Sequence, residues 1–307
     1  MNEVHSCAGI NITKSEIQIV EIEKQLNQYS IKNAAQVSIN QLINLEEGID
    51  SAAALQIQNA FDEIKSKNSF KSSLLSFTLP PELFITIQLP YDNNLEHSEI
   101  VEEFRWELSL LFPYIAAENL AIKYYQLGMK SHPGSTLALV VALNKKFLVF
   151  CKNFCKKNNI TPRFVDNASV SSNYLICNNF YKNSSANSIN VYITSNSATL
   201  FINNLSKPYS VQVFSKLDGD FLLKLSKGIS EELPLHIKND LNLKCYITGV
   251  SVSDELISRI NTETGLKFKR FNPFEVLKLK SSSIVAGIPP DNFVNFTPST
   301  GIALRFT

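Results

Sequence analysis

"GINITKSEIQIVEI" (Gly9–Ile22) alternates in steps of two: Ile10 and Ile12, then Ile17, Ile19 and Glu21, against Val20 and Ile22. Apolar side chains fall on both faces, the pattern of a β-strand covered on both sides. Near the start of an α/β chain such a strand is where a phosphate-binding turn would sit. A turn of that kind wraps phosphate with backbone amides and needs clustered glycine. The chain has ten glycines, and the nearest two are Gly128 and Gly134. The stretch therefore predicts a strand with the form of a phosphate strand and little of its chemistry.

The bulk composition narrows the class. At 307 residues there is room for two modest domains or one large one. Hydrophobic content of 44% and charged content of 19% describe an ordinary globular chain. The net charge is +1, and the five arginines (Arg105, Arg163, Arg259, Arg270, Arg305) are scattered, so nucleic-acid binding is not expected. "MNEVHSCAGINITK" lacks the basic start and apolar run of a signal peptide. "LALVVAL" (Leu137–Leu143) falls far short of the ~20 residues that span a bilayer. A cytoplasmic location is the expectation, with any membrane reached through a partner.

Cys7, Cys151, Cys155, Cys177 and Cys245 make an odd count, which argues against a disulfide framework. Cys151 and Cys155 lie one helical turn apart on the apolar face of "FLVFCKNFCKK", where buried packing thiols are expected over metal ligands. His5, His97, His132 and His236 are dispersed, read as surface residues, and complete no metal motif.

Working outward from the first strand, "QYSIKNAAQVSIN" predicts a second. "GIDSAAALQIQNAFDEIKSK" predicts a helix whose stripe is Ala53, Leu55, Ile57, Ala60, Phe61 and Ile64. "SLLSFTLPPELFITIQLP" returns to strand, interrupted at Pro80 and Pro81. Ser98 is the predicted N-cap of "EIVEEFRWELSLLF", and Pro113 ends it. "LAIKYYQLG", "TLALVVAL" and "TPRFVDN" predict strands, with the cysteine-bearing helix before the last. The Asn/Ser-rich "NNFYKNSSANSIN" predicts a domain boundary. Beyond it "INVYITSNSATLFINN" echoes the chain's opening and hints at two similar halves.

These segments resemble the actin-like type IV pilus assembly protein PilM family, relatives of the cell-division protein FtsA. "FRWELSLLFPYIAAENLAIKYYQLG" is similar to the family's "W-E … I-P-F/Y … D-Y-x-x-L-G", with Trp106, Glu107, Pro113, Tyr125, Leu127 and Gly128 in step. "TLPPELFITIQLP" resembles its "L-P … I-x-L-P" strands. "NNITPRFVDN" resembles its "G-L-x-P-x-x-V-D", with Asp166 at the acidic position. "RFNPF" (Arg270–Phe274) and "GIALR" resemble its "N-P-F" and "G-L-A-L-R".

The resemblance implies an α/β, actin-like fold of two ribonuclease-H-like halves, with a small α+β subdomain inserted in the first half and a reduced second half. The implied boundaries are 1–79 with 161–185 for the first half, 80–160 for the insertion and 186–307 for the second half. It implies a cytoplasmic protein, reaching the inner membrane by docking on the short tail of a pilus or secretion protein there. Self-association, seen among actin-like relatives, is left open.

The family's nucleotide site is carried by "G-I-D-I-G-x-S-x-x-K", "D-I-G-x-x-x-T" and "G-G-G-A". The Asp orders hydrated Mg²⁺, and the Gly admits phosphate to backbone amides. Here Asn11 stands for the first Asp and Thr13 for the Gly, with Ser15 and Glu21 retained. In "YITSNSAT" Tyr192 and Thr194 stand for the second Asp and Gly, followed by Ser195, Asn196 and Thr199. "TGVSV" keeps Gly249 alone, and between Gly219 and Cys245 the usual adenine lid is shortened.

The resemblance therefore implies a degenerate nucleotide site at Asn11, Thr13, Ser15, Thr194, Asn196, Thr199 and Gly249, with no cofactor, no metal and no catalytic residue. The residues themselves read as polar caps of strand-to-strand turns. The expected function is a non-enzymatic scaffold. The alternatives are an active ATPase or sugar-kinase-like enzyme, with Asp166 or Glu107 as base or metal ligand, and a binding module for another small ligand. Asp166 reads as a turn or cap carboxylate. Trp106 lies off the helix's main apolar stripe and reads as core or subdomain-interface packing, with an interface anchor as the alternative.

Overall fold

The computed structural model describes residues 5–25, 28–45, 48–68, 70–129, 136–178, 186–217, 219–250, 252–285 and 287–306. His132 and most of the Asn/Ser-rich stretch lie outside them, as does the side chain of His5.

The opening stretch is two strands, not one. β1 (His5–Ile12) and β2 (Glu16–Gln25) pair antiparallel, Ile12 opposite Ile17, around a turn at 13–15. β3 (Gln28–Ser38) pairs antiparallel with β2. α1 (Ser51–Lys67) follows, with Asp50 accepting at Oδ1 from the Ala53 N–H at 2.7 Å. Its predicted stripe is buried except at Leu55, which faces solvent. β4 (Leu74–Leu79) then returns parallel to β1.

Pro80 and Pro81 send the chain into a different sheet. β5 (Phe84–Tyr91), β6 (Leu120–Gln126) and β7 (Thr136–Asn144) form an antiparallel sheet in the order β5-β7-β6. α2 (His97–Leu111) covers one face of it through Ile100, Phe104 and Leu108. Ser98 is not its N-cap. Glu96 takes that place and forms a capping box with Glu99, whose Oε2 accepts from the Glu96 N–H at 2.8 Å.

β7 is buried on both sides, which is why its sequence is unbroken apolar. Ala138, Val140 and Ala142 meet α2's cluster. Leu137, Leu139 and Val141 meet Val170, Phe201 and Val211 of the elements that follow.

The chain re-enters the first sheet by α3 (Lys145–Lys157) and β8 (Thr161–Asn167), the latter parallel to β4. α4 (Ala168–Cys177) leads to the second sheet: β9 (Ser188–Ile193), β10 (Ser197–Asn204), β11 (Lys207–Ser215), β12 (Lys244–Gly249) and β13 (Phe268–Arg270). Between β11 and β12 stand α5 (Phe221–Glu232) and the single turn α6 (Leu235–Lys238). α7 (Asp254–Thr264) precedes β13, and Gly265 stops it at φ +66°. The chain closes with α8 (Pro273–Val276), β14 (Lys278–Leu279) and α9 (Thr297–Ala303).

The sheets read β14-β3-β2-β1-β4-β8 and β11-β10-β9-β12-β13. Leaving out the short edge strand β14, both have the same order: an antiparallel three-strand meander continued by two parallel strands. This repeated ribonuclease-H-like order is the actin-like α/β fold. The echo between the chain's two openings is therefore structural.

α4 and α9 pack between the halves on small residues. A Cβ on Gly301 would stand 2.0 Å from the Ser171 carbonyl oxygen, and one on Gly9 2.0 Å from that of Ser299. Among the described residues no helix is long and apolar enough to cross a membrane.

Candidate functional site

In open α/β sheets, sites form beyond the carboxyl ends of the strands. Here that region holds the β1–β2 turn, the matching β9–β10 turn and the end of β4. The two turns are built alike. Thr13 N–H donates to the Glu16 carbonyl at 3.0 Å, and Thr194 N–H to that of Ser197 at 2.9 Å. Thr13 Oγ1 accepts the amides of Ser15 at 3.3 Å and Glu16 at 3.0 Å. Thr194 Oγ1 accepts those of Asn196 at 3.2 Å and Ser197 at 2.9 Å. Threonine hydroxyls thus take turn amides that glycine in their place would leave open to a phosphate.

The hydroxyl protons go different ways. Thr13 donates to the Glu16 carbonyl at 2.9 Å, within its own turn. Thr194 donates to the Glu82 carboxylate, which also accepts from Ser197 Oγ at 3.0 Å. Glu82 lies in the single turn Pro81–Leu83 that opens the inserted subdomain. It brings negative charge from one half of the molecule to the turn of the other.

Tyr192, at the second Asp position, is buried. Burial raises its phenol pKa, with further contributions from the nearby charges of Glu82 and Glu16. Burial likewise raises Glu16, which accepts from Gln36 Nε2 at Oε2. Lys216 Nζ donates to the Thr194 carbonyl at 2.8 Å, and its pKa is lowered by desolvation.

Asn11 is no turn cap. It sits within β1, buried, donating to Gln18 Oε1 at 2.7 Å and accepting from Thr78 Oγ1 at 2.9 Å. Ser15 and Ser195 are exposed at the turns. Thr199 is buried on β10 opposite Tyr192. Gly249 has φ +108°, and a Cβ there would stand 2.0 Å from the Ile193 carbonyl oxygen. Its freedom serves a close backbone approach at the end of β12. The nucleotide and Mg²⁺ that the fold implies do not fit this set. Neither aspartate position holds a carboxylate, the threonines occupy the turn amides, and Glu82 and Glu16 oppose a polyphosphate.

Glu21, retained from the pattern, is buried on β2. It accepts at Oε2 from Asn33 Nδ2 at 2.5 Å, and at Oε1 from the Lys71 N–H at 3.2 Å.

Asp166 is not a turn carboxylate either. It is buried at the end of β8, ion-paired with Arg305, and accepts from Tyr125 Oη at 3.0 Å. Arg305 Nη1 donates to Tyr125 Oη at 3.0 Å, and its guanidinium lies over Tyr174 at 4.6 Å. Burial would lower the Arg305 pKa, but the Asp166 carboxylate and then Tyr125 beside it hold it above its ordinary value. Glu107 is half-buried on α2, its pKa raised by desolvation and then by Glu103. Trp106 is 63% exposed, so it is not core packing.

The family model "Type IV pilus assembly protein PilM" matches residues 9–206. The chain belongs to this family. Among solved structures, that of the "PilM-PilN type IV pilus biogenesis complex" superposes with TM-score 0.75 at 17% identity, covering 97% of this chain and 98% of that one. A Bacteroides thetaiotaomicron protein with an actin-like ATPase fold and unknown function superposes with TM-score 0.53 at 12% identity, covering 88% and 91%. No curated protein matches the chain. Three PilM-like motifs, far apart in sequence, meet in one buried cluster: Tyr125 of "YYQLG", Asp166 of "FVD" and Arg305 of "GIALR".

Sequence reasoning missed Glu82, Glu16 and Gln18. Nothing local marks them, because each acquires its place through partners brought together by the fold.

Proposed function

We propose that this PilM-family chain is a cytoplasmic scaffold of a type IV pilus or secretion-type envelope machine. It holds the short tail of an inner-membrane partner and does not turn over nucleotide. The observation that carries this reading is the self-satisfied pair of turns. Thr13 and Thr194 take their own turn amides, and Glu82 supplies the anion at the second. A fold shared with ATPases does not confer their chemistry. The family match, and a PilM-like structure described as a PilM–PilN complex, support a partner-binding role.

The partner's tail would bind as an extended segment, added to a sheet edge or laid in a groove near the insertion. One edge is already occupied in part: Gly128 and Met129 N–H groups donate to the Pro208 and Tyr209 carbonyls of β11 at 2.9 and 3.0 Å. The test is calorimetric titration of the chain with a synthetic cytoplasmic tail of its inner-membrane pilus partner. Micromolar binding that is indifferent to ATP is expected. Binding that appears only with ATP and Mg²⁺ would reject the scaffold reading, and absence of binding would reject the partner.

A further inference from the structure

The charge of the chain is nearly balanced overall, at +1, but it is not evenly spread. Between Glu118 and Asp166 the sequence carries no acidic residue. α3 lies inside that interval and holds five lysines, Lys145, Lys146, Lys152, Lys156 and Lys157. At about 100° per residue all five fall on one arc of the helix, with Val149 and Asn153 between them. Every residue of that arc is exposed. Phe147, Cys151, Phe154 and Cys155 take the opposite arc and are buried.

Lys152, Lys156 and Lys157 form no ion pair among the described residues. The acids of the neighbouring helix α1 are engaged on α1 itself: Asp62 accepts from Gln58 Nε2 at 2.9 Å, and Glu63 pairs with Lys67. Beside the lysines, α1 and α3 leave a shallow groove holding Leu55 and Val149, 58% and 56% exposed, with the half-buried Phe150. Cationic heads on apolar stems, around a few open apolar side chains, are what an interfacial helix presents to lipid.

Two features favour lipid over a protein partner on this face. A helix seated between α1 and α3 needs a row of apolar anchors, and Leu55 and Val149 are the large apolar side chains exposed there. The cations of α3 are all lysine. Lysine is a compact point charge that suits a diffuse anionic surface, whereas the planar fork of arginine suits a fixed carboxylate.

We propose that the outer face of α3 rests on an anionic phospholipid surface. Its biological setting rests on the scaffold reading, since a chain held by the short tail of an inner-membrane protein lies within reach of the anionic cytoplasmic leaflet. A lysine face alone binds weakly and reversibly. Joined to the tail, it is the second of two membrane contacts and acts at high effective concentration.

The test is co-sedimentation of the full chain with protein-free vesicles. Vesicles of phosphatidylcholine with about one-third phosphatidylglycerol should bind the chain, high salt should release it, and pure phosphatidylcholine should not bind. Lys152→Gln with Lys156→Gln and Lys157→Gln should weaken binding about fivefold per lysine, roughly 100-fold in all. Arginine at the same three positions should retain binding. A control that removes three exposed lysines elsewhere, Lys224→Gln, Lys227→Gln and Lys238→Gln, should leave binding within about twofold. All these positions are exposed, so unchanged thermal unfolding separates lost contact from lost fold.

A wild-type chain that ignores anionic vesicles would overturn the proposal, as would equal binding to pure phosphatidylcholine. So would equal losses in the α3 and control variants, which would reduce the effect to net charge. Binding of polyglutamate but not of vesicles, lost in the α3 variant, would give the face to an acidic protein instead. A chain that binds the partner's tail but not vesicles loses this proposal and keeps the scaffold reading. One that binds vesicles but not the tail keeps the lipid face and loses the partner.

Discussion

Glu82 and Thr194 stand 112 residues apart and meet across the two halves, the Thr194 hydroxyl donating to the Glu82 carboxylate. Ser197 Oγ donates to the same carboxylate oxygen at 3.0 Å. A phosphate strand needs open amides and a tolerance for negative charge. This turn has its amides taken by a threonine hydroxyl and a carboxylate already bound.

The Asp166–Arg305 pair joins β8 to the C-terminal segment within a buried setting that also includes Tyr125. Removing the guanidinium strands a buried carboxylate. Arg305→Met is expected to destabilise the chain by about 3 kcal/mol or more, read as a lowered urea midpoint. Replacing both partners, as Asp166→Asn with Arg305→Met, should recover part of the loss. A single variant as stable as wild type would show that the pair contributes no net stabilisation.

Two glycines separate space from conformation. Gly301→Ala would place its methyl carbon 2.0 Å from the Ser171 carbonyl oxygen, well inside contact distance, and should cost about 2–3 kcal/mol by overpacking the α4–α9 contact. Gly265→Ala has nothing within 4 Å but sits at φ +66°, and should cost about 1 kcal/mol. Equal costs in denaturant unfolding would contradict this division.

The sequence made the fold legible through burial pattern. Strands covered on both faces appear as apolar runs, and the repeat of strand and turn announced two like halves. Gly9–Ile22 read as one strand because "TKS" carries no glycine or Asn-Gly signal. The Thr13 side chain makes the turn instead. Glu82, Glu16 and Gln18 were unreadable as site residues because their roles come from pairings set by tertiary structure. Trp106 was legible in part: its place off the apolar stripe showed in the sequence, but the preference of large aromatics for burial favoured packing, and it lies exposed on the opposite side from Phe104 and Leu108.

All five cysteines are buried. Burial raises their thiols, to about 11 for Cys7, about 12 for Cys155, Cys177 and Cys245, and upward for Cys151, where Cys155 adds to the effect. At pH 8 the native chain should therefore react negligibly with a disulfide reagent, and release five thiols only in denaturant. A cysteine that reacts at once in the native protein would contradict the packing described.

Glu16 carries a cost that depends on pH. Burial raises its folded pKa above the unfolded value, so the folded chain holds the proton more readily. The stabilisation of the protonated form is complete below about pH 4.3 and is lost as pH rises through the folded pKa. Glu16→Gln should consequently be more stable than wild type at pH 7, with the advantage vanishing near pH 4. A substitution that destabilises at pH 7 would mean that the bond from Gln36 outweighs desolvation.

Titration calorimetry with ATP, with and without Mg²⁺, tests the closed character of the two turns most directly. No heat of binding at millimolar ATP is expected, and Glu82→Ala alone should not restore it, because Thr13 and Thr194 still hold their amides. Micromolar, Mg²⁺-dependent binding to the wild-type chain would contradict the closed-turn reading and return the β1–β2 hairpin to nucleotide chemistry.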